Sequence, residues 1–118
     1  MAKEREYFLG LDVGSVSVNT VAVDTGGQIL EDHYTRTYGQ PLVAAHRILE
    51  NVFSRMPASR LAGISITGSG GKLLAELLDA RFENEIIAQS KSIEYFYPRV
   101  KTVVEMGGED SKLIFLER

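Results

Sequence analysis

No cysteine occurs anywhere in the 118 residues. That removes three kinds of chemistry from this stretch at once: a disulfide framework, a thiolate metal site and a cysteine nucleophile. Histidine is scarce too, and its two copies, His33 and His46, lack the spacing of metal ligands and read as surface or packing residues. No apolar run is long enough to cross a bilayer. The start, MAKEREYF, carries charge without the apolar stretch and small-residue cleavage site of an export signal, so the chain reads as cytoplasmic and not membrane-bound. An excess of positive charge is missing as well. A net charge of −3 gives no general pull toward nucleic acid or anionic lipid, which makes nucleic acid a poor fit.

What is present is the balance of a soluble globular protein, 44% hydrophobic and 25% charged residues, at a length that suits one domain or part of a larger one. Without repeats or low-complexity tracts, periodicity carries the organisation. The nearly continuous apolar stretch Tyr7–Val13 predicts a central strand covered on both faces. A short gap around Gly14 and Ser15 leads to a second strand over 18–24. The turn Thr25-Gly26-Gly27 leads to a third, more exposed one over 29–38, giving an antiparallel meander.

After Pro41 the period changes: Leu42, Ala45, Ile48, Leu49, Val52, Phe53 and Met56 recur at helical spacing up to Pro57. A strand over 61–67, a helix with Leu73, Leu74, Leu77 and Leu78 on one side, a strand within 81–88, a short helix over 90–97 and strands over 102–106 and 112–116 follow. Three antiparallel strands and then alternating strands and helices make an α/β fold with a mixed sheet, the ribonuclease H-like order shared by nucleases and by actin-like ATPases. Fold alone leaves function open.

Two stretches repeat one construction. In LGLDVGSVSVNTVAVD, Asp12 ends an apolar strand ahead of Gly14, and in VVEMGGEDSK, Glu105 does the same ahead of Gly107 and Gly108. A carboxylate there can hold Mg²⁺ or its waters. Gly14 brings backbone N–H groups near a phosphate, and Ser15 and Ser17 offer hydroxyls. Taken alone, each stretch also reads as an ordinary hairpin turn with an acidic rim. Together, two such turns can clamp a polyphosphate and its metal from both sides.

A third glycine cluster, Thr67-Gly68-Ser69-Gly70-Gly71-Lys72, fails the phosphate-loop spacing because Ile66 stands where the first glycine belongs. It fails the dinucleotide pattern because of Leu73. It reads as a tight strand-to-helix turn with an anion-friendly helix start, and Lys72 as a solvated residue.

The segments GLDVGSVSVNTVAVD, GISITGSGGKLL, NEIIAQSKSIEYFYP and VVEMGGEDSKLIFL, in this order and spacing over 9–116, resemble the start of the BadF/BadG/BcrA/BcrD ATPase family. Its members are activases of CoA-ester dehydratases and reductases, including 2-hydroxyacyl-CoA dehydratase activators. The resemblance implies a two-domain actin-like ATPase that binds ATP with Mg²⁺ in its cleft. It also implies a homodimer holding a [4Fe–4S] cluster in the full-length protein, and ATP-driven electron transfer into a dehydratase or reductase component.

Carried over residue by residue, Asp12 becomes the metal-binding position. Gly14, Ser15, Ser17, Gly107 and Gly108 become phosphate-binding positions, and Glu105 and Asp110 catalytic ones. Glu105 stands where the family's second motif commonly has Asp, Glu109 where it has Gln, and Asn19 where many members carry Lys. On this reading residues 1–100 form the first domain, 101–118 open a second that lies beyond this chain together with the cluster ligands, and the chain alone is inactive. Three alternatives keep the same fold: a resolvase-like metal-dependent nuclease, a sugar or acid kinase, and a non-catalytic actin-like interaction domain.

Overall fold

The computed structural model describes residues 5–106 and 111–116, which fall into two compact units, Met1–Glu83 and Asn84–Arg118. In the first, strands β1 (Tyr7–Val13), β2 (Ser17–Asp24) and β3 (Ile29–Arg36) precede helix α1 (Pro41–Arg55) and a short 3₁₀ turn (Ala58–Arg60). Strand β4 (Leu61–Thr67), helix α2 (Gly71–Leu78) and the two-residue β5 (Arg81–Phe82) complete it. The sheet order is β3-β2-β1-β4-β5. Pairing is antiparallel across β3-β2-β1 and parallel across β1-β4-β5, the mixed sheet that the residue pattern predicts.

Alternation decides which side of β1 is covered. Tyr7, Leu9, Leu11 and Val13 are buried in one core with Val18 and Ala22 of β2, Ile66 of β4, Ala44, Ala45, Ile48, Leu49 and Val52 of α1, and Leu74 and Ala75 of α2. Phe8, next to them in sequence, is exposed. The expectation of a strand covered on both faces is corrected accordingly: helices dock on the odd-numbered side, and Phe8, Gly10 and Asp12 point the other way.

Pro41 suits the first turn of α1, where a missing N–H costs nothing. The phenol of Tyr7 closes the far end of the core by donating to the Met56 carbonyl at 3.1 Å, and burial raises its pKa. On the surface, Arg55 of α1 pairs with Glu31 of β3 at 2.7 Å. That hydrogen bond is the main reason the Glu31 carboxyl lies below its ordinary value.

The second unit consists of helix α3 (Glu85–Phe96) and a hairpin of β6 (Thr102–Met106) and β7 (Ser111–Phe115). The sequence reading put a strand within 81–88 and began the helix at 90. The strand is confined to Arg81 and Phe82, because the Asn84 side chain accepts from the N–H groups of Ile86 and Ile87 at 2.8 and 3.4 Å and starts the helix there. Ile114 is the one buried hydrophobic residue of this unit among those described. Val104, Met106, Leu113 and Phe115 on the hairpin are 58–82% exposed. Among the described residues, no helix is long and apolar enough to cross a membrane.

Candidate functional site

Asp12 lies at the carboxyl end of β1, in register with Asn19 of β2 and Thr67 of β4, on the side opposite the core. The parallel β1–β4 pair brings the end of β4 beside it, and there the chain turns through Gly68 at φ +98°. A Cβ added to Gly68 would come within 2.6 Å of Asp12 Oδ1 and 2.4 Å of the Val13 carbonyl oxygen. Only glycine allows both the approach and the backbone angle. The Gly70 N–H donates to the Val13 carbonyl at 2.8 Å, and a Cβ on Gly71 would stand 2.8 Å from Ile66 Cγ2. The third glycine cluster is thus a close-packed turn, as its sequence suggests. Its position against the Asp12 carboxylate was not visible in the sequence, because it depends on which strand pairs with β1.

The loop after Asp12 is held from a distance. Thr37, just past β3 and 3% exposed, donates its hydroxyl to the Ser15 carbonyl at 2.7 Å and its N–H to the Val16 carbonyl at 2.9 Å. The Gly14 N–H donates to the Ser17 carbonyl at 2.9 Å. That engages its own N–H inside the turn and sets the shape of the loop, whose other N–H groups are the ones a phosphate would approach. Ser15 is exposed and Ser17 half-buried, which leaves the rim of the loop polar. Asn19, directly across from Asp12, provides a neutral cross-strand neighbour, and Lys72 is exposed as expected.

The structure therefore gathers Asp12, Gly14, Ser15 and Ser17 in the first unit. Glu105 belongs to the second, on β6, where its Oε2 accepts from Gln89 Nε2 of α3 at 2.6 Å and its cross-strand neighbour is Lys112. Gly107, Gly108 and Asp110 lie outside the described residues. Among the described residues, no three His, Asp or Glu side chains cluster as a metal cage. A half-buried carboxylate at a strand end suits Mg²⁺, which keeps several waters and commonly takes one or two carboxylates together with substrate phosphates. The histidines do not enter the site: His33 pairs with Glu31 and His46 with Glu50.

No family model matches the chain. The (R)-2-hydroxyglutaryl-CoA dehydratase activating ATPase of Acidaminococcus fermentans is 30% identical over 115 residues, covering 94% of this chain and 43% of that protein. The activator of lactoyl-CoA dehydratase from Anaerotignum propionicum is 30% identical over 112 residues, covering 94% of this chain and 42% of that protein. The chain matches the amino-terminal part of dehydratase activators.

It spans less than half the length of each activator. In three dimensions, the activator of the 2-hydroxyisocaproyl-CoA dehydratase from Clostridium difficile with bound ADPNP superposes with a TM-score of 0.79 at 23% identity, covering 94% of this chain and 41% of that one. That likeness establishes the fold: a mixed α/β sheet of the kind the activators have.

Proposed function

We propose that this chain is the phosphate-binding part of an ATP-hydrolysing activase that drives electron transfer into a CoA-ester dehydratase or reductase. The observation that carries the reading is the Asp12 carboxylate at the end of β1, with the Gly68 turn at the end of β4 closely packed against it, in a chain similar to an activating ATPase. Phosphoryl transfer to water asks the protein chiefly for position and charge, and a carboxylate at a strand end beside a polar loop rim supports that reading.

In this mechanism Asp12 would hold Mg²⁺, directly or through water, and the bound ion would neutralise charge on the phosphates. Ser15 and Ser17 donate from the rim of a loop whose shape is fixed by Thr37. Glu105 and Asp110 orient the attacking water and take its proton, and Gly107 and Gly108 let backbone N–H groups reach the phosphates. Residues 101–118 open the second domain of a longer protein. That protein is a cytoplasmic homodimer with a [4Fe–4S] cluster, and a dehydratase or reductase component is its partner.

Asp12→Asn in the full-length protein tests this. Mg-dependent ATP turnover should fall on the order of 100-fold or more while the circular dichroism spectrum and melting temperature stay close to the parent's. Turnover that survives the substitution in a folded protein would remove Asp12 from the site and the reading with it.

A further inference from the structure

We infer that Gln89 is a positioning residue for Glu105, holding its carboxylate in the orientation that ATP hydrolysis needs. This rests on the reading of Glu105 as a catalytic group.

The geometry starts from helix spacing. Glu85 and Gln89 lie four residues apart on α3 and so share one face. Across from them, Glu105 and Lys112 are directly paired between β6 and β7. Glu85 Oε2 reaches Lys112 Nζ at 3.3 Å, and Gln89 Nε2 reaches Glu105 Oε2 at 2.6 Å. Both strand residues of this layer are therefore held by the helix. The Gln89 amide has one sensible orientation, because turning it over would set its oxygen against a carboxylate.

In that orientation Gln89 Oε1 is buried without a hydrogen-bond partner among the described residues, an arrangement that proteins largely avoid. An amide kept for its own burial would be satisfied at both ends or replaced by an apolar side chain of similar shape. One whose side chain, among the described residues, donates to Glu105 and leaves its oxygen unmet is placed for what it does to Glu105. Held through Oε2, the carboxylate keeps one rotamer, and Oε1 is the oxygen that would take a proton from water.

The test is a double-mutant cycle in the full-length protein, with Gln89→Met as an isostere lacking the donor and Glu105→Gln as its partner. Gln89→Met should lower kcat for ATP by roughly 10- to 100-fold with KM and melting temperature nearly unchanged. Added to Glu105→Gln it should cost no further activity, since the two residues act as a unit. Gln89→Glu, which sets two carboxylates against each other, should be at least as impaired.

If Gln89→Met only lowers the melting temperature and its folded fraction turns over at the parent's kcat, the bond is structural and the inference falls while Glu105 stands. If Glu105→Gln itself keeps full turnover, the catalytic reading of Glu105 fails and takes the inference with it.

Discussion

The two units share one sequence device and support it differently. Each has an apolar strand that ends in a carboxylate ahead of glycine, Asp12 on β1 and Glu105 on β6. In the first unit that strand is flanked on both sides, by β2 and β4, and seated on a core to which α1 alone contributes five buried residues. In the second it has one partner strand, and α3 has no fully buried residue. Burial of large apolar side chains, worth about 1.5–3 kcal/mol each, therefore holds Asp12. Glu105 depends on polar contacts made nearby: the Asn84 cap, the Glu85–Lys112 ion pair and the Gln89 hydrogen bond. Packing seats the strand that carries the first carboxylate, and local polar contacts hold the second.

Three substitutions sharpen that contrast, in falling order of effect. Gly68→Ala should destabilise the first unit by about 2–5 kcal/mol, combining the cost of a left-handed backbone, about 1–2 kcal/mol, with that of overpacking, about 1–3 kcal/mol. Urea unfolding measures it, and a loss below about 1 kcal/mol would show that the approach of Gly68 to Asp12 is loose. Asn84→Ala should cost about 1 kcal/mol, and the loss should be local. Hydrogen exchange should quicken at the first amides of α3 while β1 and β4 keep their protection, whereas uniform loss across both units would erase the distinction between them.

The smallest effect belongs to the surface pair of the first unit. Because Arg55 holds the Glu31 carboxyl below its ordinary value of 4.5, the pair contributes stability that is present above that pH and lost as pH falls through it and below. Glu31→Gln should flatten this part of the acid-unfolding curve by less than the Asn84 cap is worth, since exposed pairs contribute little. An unchanged curve would mean that the pair is silent.

Much of the fold could be read from residues because local signals agreed with one another. Turn glycines, the helical period after Pro41 and the short apolar runs all pointed to elements that the structure contains. The start of α3 escaped because Ile86 and Ile87 have strong strand preferences, and the Asn84 cap overrode them. The covering of β1 escaped because a continuous apolar run does not tell which face a helix will take. At the site, Asp12 and its loop stood out as a motif and Gly68 as part of a glycine turn, whereas the approach of Gly68 to Asp12 and the roles of Thr37 and Gln89 did not. Their contacts span 56 residues for Gly68 with Asp12, 22 for Thr37 with Ser15 and 16 for Gln89 with Glu105, distances that only tertiary structure closes.

The bare outer side of the hairpin has a practical consequence for anyone handling the protein. Val104, Met106, Leu113 and Phe115 together make an oily patch, and contiguous patches of that kind drive self-association in water. Sulfate, which strengthens apolar burial, will bring the chain out of solution early, and hydrophobic-interaction resin will retain it strongly. Low-salt buffers and modest concentrations are the conditions in which this sequence stays dispersed.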